Sequence, residues 1–400
     1  MISIFDKFQQ LAAARQMLEE NCDDFFNIVM DEIISATEAV VNGRPMILAG
    51  SNNYLGLTFD SDCINAACKA TQKEGTGTTG SRMANGTFSG HLALEQELAA
   101  FFGRRSAIVF STGYIANLAM LSTVVGPEEI ILLDADCHAS IYDGCRLGGA
   151  DVIRFRHNDV SDLEKRLRRL EKRNTNILIV VEGLYSMLGD RAPLAEIAAV
   201  KNKYGAYLLV DEAHSLGVLG QHGRGLAEET DVEDSVDFIV GTFSKSLGAI
   251  GGFCVSNHTE LNLVRYASRP YVFTASSSPS AIASTRAALK IMQVRSELRQ
   301  RLWKNANLLY QRLKSLDYDV GPEASPVIAV RQENMEEAFT IWNGLLDRGV
   351  YVNLVLPPAT PDGRALLRCS VSAGHTNEQM EHICDAYASV KESIGAAQTA

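Results

Sequence analysis

The chain has 400 residues, enough for a large core in two or three lobes, and its 46% hydrophobic and 21% charged residues are those of an ordinary globular protein. A formal net charge of −11 argues against nucleic acid as a partner. No apolar run reaches bilayer-spanning length, Met1 to Lys7 lack a signal-peptide pattern, and the eight cysteines (Cys22 to Cys384) show no metal-ligand spacing, so a cytoplasmic chain with reduced thiols is the simplest reading.

In chain order, Ile4, Phe5, Phe8, Leu11, Ala12, Met17 and Leu18 fall near 3.6-residue spacing. That spacing predicts a helical arm within residues 1 to about 45. It reads as an arm packed on the body or on a second subunit; a face touching a membrane is the alternative. Ser51 to Leu57 form a polar turn. Gly75 to Arg82 bring three glycines and four hydroxyls, but no strand leads into them and they fit neither the Walker A nor the dinucleotide pattern. A nucleotide site is a poor reading. His91 opens a helix, where capping or packing is weighed equally with contact to a substrate.

Ala107 to Phe110 predict a strand that ends at Ser111-Thr112-Gly113-Tyr114, with a helix from Ile115. Free N–H groups and the dipole at such a helix start favour an anion, so Gly113 and Tyr114 are candidate phosphate ligands through their backbone. Strands follow at 130–133, 152–155 and 177–181, with helices over 161–172 and 193–204. This alternation argues for a mostly parallel α/β sheet. His138 sits on the loop after the second strand. The basic run Glu164 to Arg173 reads as a solvated face; a docking patch for an acidic acyl carrier protein or anionic lipid is the alternative.

Tyr207 to Val210 read as a buried parallel strand with Asp211 at its carboxyl end, where ligands sit in open α/β sheets. A buried carboxylate needs a cationic partner, and a protonated pyridine nitrogen is one. After the strand Phe238 to Val240 comes Gly241-Thr242-Phe243-Ser244-Lys245-Ser246. A lysine held there suits a Schiff base, and Thr242, Ser244 and nearby N–H groups suit a phosphate. Arg269 to Ser276, with Thr274, form another hydroxyl-bearing loop. Beyond about residue 293 the pattern is helix-rich, with strands over 326–330 and 366–370 and a rigid turn at Pro357-Pro358-Ala359-Thr360-Pro361. The expected divisions are 1–60 (arm and helix), 61–293 (large domain) and 294–400 (small C-terminal α+β domain).

Asp134 to Ser140 (DADCHAS), Glu182 to Asp190 (EGLYSMLGD), Asp211 to Ser215 (DEAHS) and the lysine loop (GTFSKS) occur in that order. With STGYIANL, RFRHN, RPYVFTAS and PPATP, they resemble the α-oxoamine synthases. These are pyridoxal 5'-phosphate (PLP) enzymes of the aspartate-aminotransferase fold (fold type I). The likeness covers the chain from about Met46 to its C-terminal region.

The resemblance implies that Lys245 holds PLP, that Asp211 faces the pyridine nitrogen and that His138 stacks on the ring. It implies that His214 bonds the ring oxygen or the thioester carbonyl, and that Ser186, in the SMLGD loop, lies beside the cofactor. It places Asn53, Tyr54 and Arg82 in the substrate region and Arg368 at the amino-acid carboxylate. It sends Thr274 across a homodimer interface to the partner's phosphate, making each site composite. The implied reaction is decarboxylative condensation of an amino acid with an acyl thioester. The nearest pattern is that of L-serine with palmitoyl-CoA or another long-chain acyl thioester, giving 3-ketosphinganine for sphingolipid synthesis. Members of the 2-amino-3-ketobutyrate CoA ligase or 8-amino-7-oxononanoate synthase type, using glycine or alanine, are the alternative. One position departs: close relatives often carry arginine just before the PPATP turn, where this chain has Leu356. Transamination fits the SMLGD and PPATP stretches poorly. A non-catalytic partner subunit would be expected to have lost Lys245.

Overall fold

The apolar runs become the strands of one seven-stranded sheet. In chain order they are β1 (Ser106–Phe110), β2 (Ile130–Asp134), β3 (Asp151–Phe155), β4 (Ile177–Glu182), β5 (Tyr207–Asp211), β6 (Phe238–Thr242) and β7 (Gly252–Ser256). The computed structural model describes residues 3–21, 28–173, 175–357 and 359–399; Cys22, Pro358 and the side chain of Met17, all named above, lie outside the described residues. Across the sheet the order is β1-β7-β6-β5-β4-β2-β3. Ladders among β2 to β6 are parallel, and β7 runs antiparallel to both of its neighbours. Ile131, Leu132, Ile179, Val180, Leu208 and Val210 are fully buried, each stabilising the fold by roughly 1.5–3 kcal/mol. Helices on both faces leave such strands no polar side, which is why they read as unbroken apolar runs.

These strands belong to a unit spanning residues 52–304. Helices Gly113–Val124 and Ala139–Gly148 follow β1 and β2, and Val160–Leu170 and Leu194–Tyr204 follow β3 and β4. Val160–Leu170 buries Leu163, Leu167 and Leu170 and leaves its basic face to solvent, as a solvated amphipathic helix does.

A second unit joins residues 1–51 to 305–400. Asp319–Val320, Val327–Arg331, Leu366–Ser370 and Asn353–Val355 form an antiparallel sheet, accompanied by helices Met335–Asp347 and Asn377–Thr399. Among the described residues of the N-terminal segment, Asp6–Asn21 are helical. Beyond that, Glu38–Val41 and Arg44–Leu48 make a hairpin, and Arg44–Leu48 pairs in parallel with Val350–Tyr351. A second four-stranded sheet therefore ties the beginning of the chain to its C-terminal part. Among the described residues no helix is long and apolar enough to cross a membrane.

Candidate active site

A cavity of about 260 Å³ opens at the carboxyl ends of β1, β2, β4, β5 and β6. Each strand delivers its residues through a short loop, so the site is set by the sheet. From β1 come Gly113 and Tyr114, the first residues of a helix whose start Thr112 caps by accepting from Ile115 N–H at 3.0 Å. Their own N–H groups have no partner within the helix, which is the anion-binding arrangement. A Cβ on Gly113 would stand 2.7 Å from Thr242 Cβ, so this approach of turn to strand admits only glycine. The Tyr114 hydroxyl donates to Asp143, which leaves its backbone for the cavity.

β6 contributes Thr242, Ser244 and Lys245. Phe243 is buried against Phe253, with stacked rings 5.8 Å apart, and its N–H donates to Gly251 O at 3.0 Å. Ser246 Oγ donates to Leu216 O at 2.6 Å. These contacts fix the loop on either side of Lys245, which stays half-buried and lines the cavity. Thr242 Oγ1 donates to Gly251 O at 3.0 Å and lies 2.8 Å from Ser244 Oγ, so the two hydroxyls sit side by side in the cavity wall.

From β5 come Asp211 and His214. The buried Asp211 carboxylate accepts from Asn117 Nδ2 at 2.7 Å and from Ala213 N–H at 2.9 Å. His214 is buried and shares a 2.7 Å hydrogen bond between its Nδ1 and Tyr54 Oη. Glu212 lies outside the cavity lining: it accepts from Leu226 and Ala227 N–H at 2.9 Å each, capping a short helix. Burial raises its pKa to about 7.

From β2 comes His138, which caps the helix Ala139–Gly148, its Nδ1 2.8 Å from Ser140 Oγ. Burial is the largest influence on its ring and lowers the pKa; Asp211 opposes this and Lys245 reinforces it, so the imidazole is neutral at pH 7. The His138 backbone N–H donates to Glu182, the last residue of β4 and the ladder neighbour of Asp211. Burial first, then the Asp211 charge, push the Glu182 carboxyl well above the usual range.

The cavity thus brings together eight of the residues singled out in the sequence: Gly113, Tyr114, His138, Asp211, His214, Thr242, Ser244 and Lys245. The others lie elsewhere. Ser186 is in the turn that follows Tyr185. Asn53 donates to Thr58 Oγ1 at 2.7 Å, next to Tyr54. Arg82 is buried against Glu95 at 3.0 Å, and Glu95 also takes Arg265 at 2.9 Å and Val109 N–H at 3.0 Å. Arg82 and Thr274 line a separate narrow cleft on the side of Ser111 and Ile115. His91 packs by accepting from Phe88 N–H at 3.2 Å and meeting Ser277 O at 3.0 Å. Arg368 is buried in the sheet of the other unit, with Nη1 3.0 Å from Ser370 Oγ.

Sequence reasoning missed Asn117, Ser140 and Glu182 as cavity residues. Asn117 had a signal, since four residues beyond Gly113 is the same helix face. The fit to PLP rests on this set: an amine for its aldehyde, a buried anion for its ring nitrogen, and a helix start with two hydroxyls for its phosphate.

The aminotransferase class I and II family model matches residues 44–386. A serine palmitoyltransferase of Caulobacter vibrioides is 57% identical over 98% of this chain and 98% of its own length. One from Sphingomonas paucimobilis is 50% identical over 98% of this chain and 94% of its own. A solved structure of serine palmitoyltransferase from S. paucimobilis, carrying one Lys-to-Ala substitution and a bound PLP–myriocin aldimine, matches with a TM-score of 0.96 at 49% identity. It covers 99% of this chain and 100% of that one.

Proposed function

The chain belongs to the aminotransferase class I and II family, and we infer that within it the protein is a PLP-dependent serine C-palmitoyltransferase. It joins L-serine to palmitoyl-CoA, or another long-chain acyl thioester. A C–C bond forms between serine Cα and the thioester carbonyl carbon. The C–S bond breaks with its electron pair going to the CoA sulfur, and the serine carboxyl leaves as CO₂ while a proton takes its place at Cα, giving 3-ketosphinganine from palmitoyl-CoA. The observation that carries this reading is the convergence of Lys245, Asp211, His138 and His214 in one cavity. It occurs in a chain 57% identical, over nearly its whole length, to a serine palmitoyltransferase.

Bound PLP supplies an electron sink for the pair released at Cα. Lys245 Nζ tethers the cofactor and, once the serine amine has displaced it, takes the Cα proton. Asp211 holds the proton on the ring nitrogen, and the neutral His138 imidazole lies against the ring face. The N–H groups of Gly113 and Tyr114 bind the phosphate together with the Thr242 and Ser244 hydroxyls. His214, its Nδ1 engaged by Tyr54, presents Nε2 to the ring oxygen or the thioester carbonyl. Ser186 lies beside the cofactor, Asn53, Tyr54 and Arg82 border the substrate path, and Arg368 binds the serine carboxylate as a bidentate guanidinium suits it to do.

Absorbance of the PLP-loaded protein during titration with serine, glycine and alanine tests the reading. Serine should give a saturable spectral change, followed by stoichiometric CoA release on adding palmitoyl-CoA. A response to alanine or glycine and none to serine would move the activity to the glycine- or alanine-using members of the family.

The proposed assembly is a cytoplasmic homodimer in which Thr274 reaches the partner's phosphate. Tyr266, Phe273 and Met83 are 80%, 75% and 67% exposed in the single chain, and such side chains on the Thr274 segment and the Arg82 loop suit burial by a second copy. Ile4, Phe5, Phe8 and Leu11 are also exposed and suit peripheral contact with a membrane. Sedimentation with and without anionic vesicles should show a dimer that binds them through residues 3–21. A monomer at micromolar concentration removes the composite site, and no loss of vesicle binding on truncating that arm removes the contact.

A further inference from the structure

Outside the cavity, buried charges converge where the loops leaving β2, β3 and β4 meet. Asp134, the last residue of β2, is fully buried, and Asp190, which closes the turn after β4, is nearly so. His157, two residues beyond β3, stands between them. Its Nδ1 is 2.8 Å from Asp134 Oδ1 and its Nε2 is 2.7 Å from Asp190 Oδ2. An ionised carboxylate only accepts, so two such partners call for an N–H on each ring nitrogen, the imidazolium. Burial opposes that charge, but the hydrogen bonds and charges of Asp134 and Asp190 outweigh it and raise the pKa to about 10. Asp136 adds a third carboxylate 3.8 Å from Nδ1, and the Tyr185 ring meets the imidazole edge-on, 4.5 Å between centroids.

The loops held this way are those that carry site residues. Asp134 Oδ1 also accepts from Asp136 N–H at 2.9 Å, at the start of the loop that ends in His138. Asn158 N–H donates to Asp134 Oδ2 at 2.9 Å. The Asn158 side-chain amide donates to Asp190 Oδ2 at 2.9 Å and to Arg191 O at 3.0 Å. Asn158 takes a left-handed backbone (φ 54°) to make these bonds, a conformation asparagine tolerates better than most residues. Tyr185 N–H donates to Asp190 O at 2.9 Å and closes the turn containing Ser186. None of Asp134, His157 and Asp190 lines the cavity.

We propose that His157 is a positioning residue for the reaction: by donating to Asp134 and Asp190 at once, it locks the His138 loop against the Ser186 turn and sets the imidazole face offered to the cofactor. The proposal rests on the PLP-dependent reading above. A charged clamp of this kind acts through geometry, so its loss should appear in cofactor affinity and kcat more than in serine KM.

His157→Gln tests it, because an amide offers one donor end and one acceptor end and can serve only one of the two carboxylates. The variant should keep the wild-type far-UV circular dichroism. PLP affinity of its apo-protein should fall about tenfold or more and kcat by at least as much, with serine KM within about twofold. In the ¹⁵N spectrum of histidine-labelled wild-type apo-protein, one ring should stay doubly protonated at pH 8.5, and that signal should vanish in the variant. Wild-type PLP affinity and kcat in His157→Gln, or no doubly protonated ring at pH 8.5, overturns the proposal. If His157→Gln does not fold, Asp190→Ala carries the test, because it removes the acceptor for His157 Nε2–H: a tenfold loss of PLP affinity supports the clamp and unchanged affinity overturns it. A wild-type chain that binds no PLP overturns the functional reading instead, and the ¹⁵N spectrum still decides whether His157 is the bridging cation.

Discussion

Lys245→Ala is expected to give a folded protein whose kcat is lower by about 10⁴-fold or more. A positioned general base alone contributes roughly 10²–10⁴-fold, and the same Nζ also tethers the cofactor. Fold and activity should separate cleanly here. The loop is shaped by groups other than the lysine: the Phe243–Phe253 stack, the Ser246 Oγ bond to Leu216 O and the Phe243 N–H bond to Gly251 O. The melting temperature should therefore stay within about 3 °C of wild type, as for a half-buried side chain with no core role. A second readout follows from the electrostatics of the cavity. Burial is the main cause that lowers the His138 pKa, and the Lys245 charge lowers it further. Removing that charge should move the His138 titration to higher pH. Single-turnover CoA release and histidine NMR of the apo-protein measure the two effects. Retention of more than about 1% of wild-type kcat would remove Lys245 from the chemistry.

The parts of this site that follow one strand each were legible in the sequence. Asp211 and Lys245 lie at or just beyond the carboxyl ends of unbroken apolar runs, and parallel strands buried on both faces produce such runs. Gly113 and Tyr114 follow from strand, small residues and helix start. Contacts that depend on strand order were not legible. Asp134, His157 and Asp190 were all read as members of motifs, yet they converge only because β2 lies between β3 and β4 in the sheet. Periodicity carries no information about that order. The Arg44–Leu48 pairing with Val350–Tyr351 was hidden for the same reason: two short strands far apart in sequence announce no register. The partner of Arg82 was hidden as well: Glu95, one helix on, is buried where it needs a cation, and nothing in the glycine-rich loop announces that pair. Burial opposes the Glu95 charge, and Arg265 and Arg82 together hold its carboxyl below the usual range.

Asp211→Asn should lower kcat by about 10²–10⁴-fold while leaving the fold intact. The carboxylate accepts at Oδ1 from Ala213 N–H and at Oδ2 from Asn117 Nδ2. An asparagine there keeps the first bond through its oxygen and turns its NH₂ toward Asn117. That would leave two donors facing each other, but Asn117 can reverse its amide, because its Oδ1 is buried without a protein partner. After the reversal the Ser140 hydroxyl, at present 3.0 Å from Asn117 Nδ2 and 2.8 Å from His138 Nδ1, has one proton for two acceptors, so the change costs one neutral hydrogen bond, about 1 kcal/mol. What the substitution removes is the charge. Deleting one member of a buried ion pair costs about 3–5 kcal/mol, which at 1.36 kcal/mol per decade is roughly two to four powers of ten in rate. Glu182→Gln is the matched control. Glu182 is also buried in the cavity wall, beside Asp211 in the ladder, but burial and the Asp211 charge push its carboxyl well above the usual range. Its amide replacement retains an acceptor for His138 N–H, so kcat should stay within about threefold of wild type. Equal losses in the two variants would mean that the wall needs carboxyl geometry rather than the Asp211 charge. A loss confined to Asp211→Asn would assign the charge of the pair to Asp211 and its work to the cofactor's ring nitrogen.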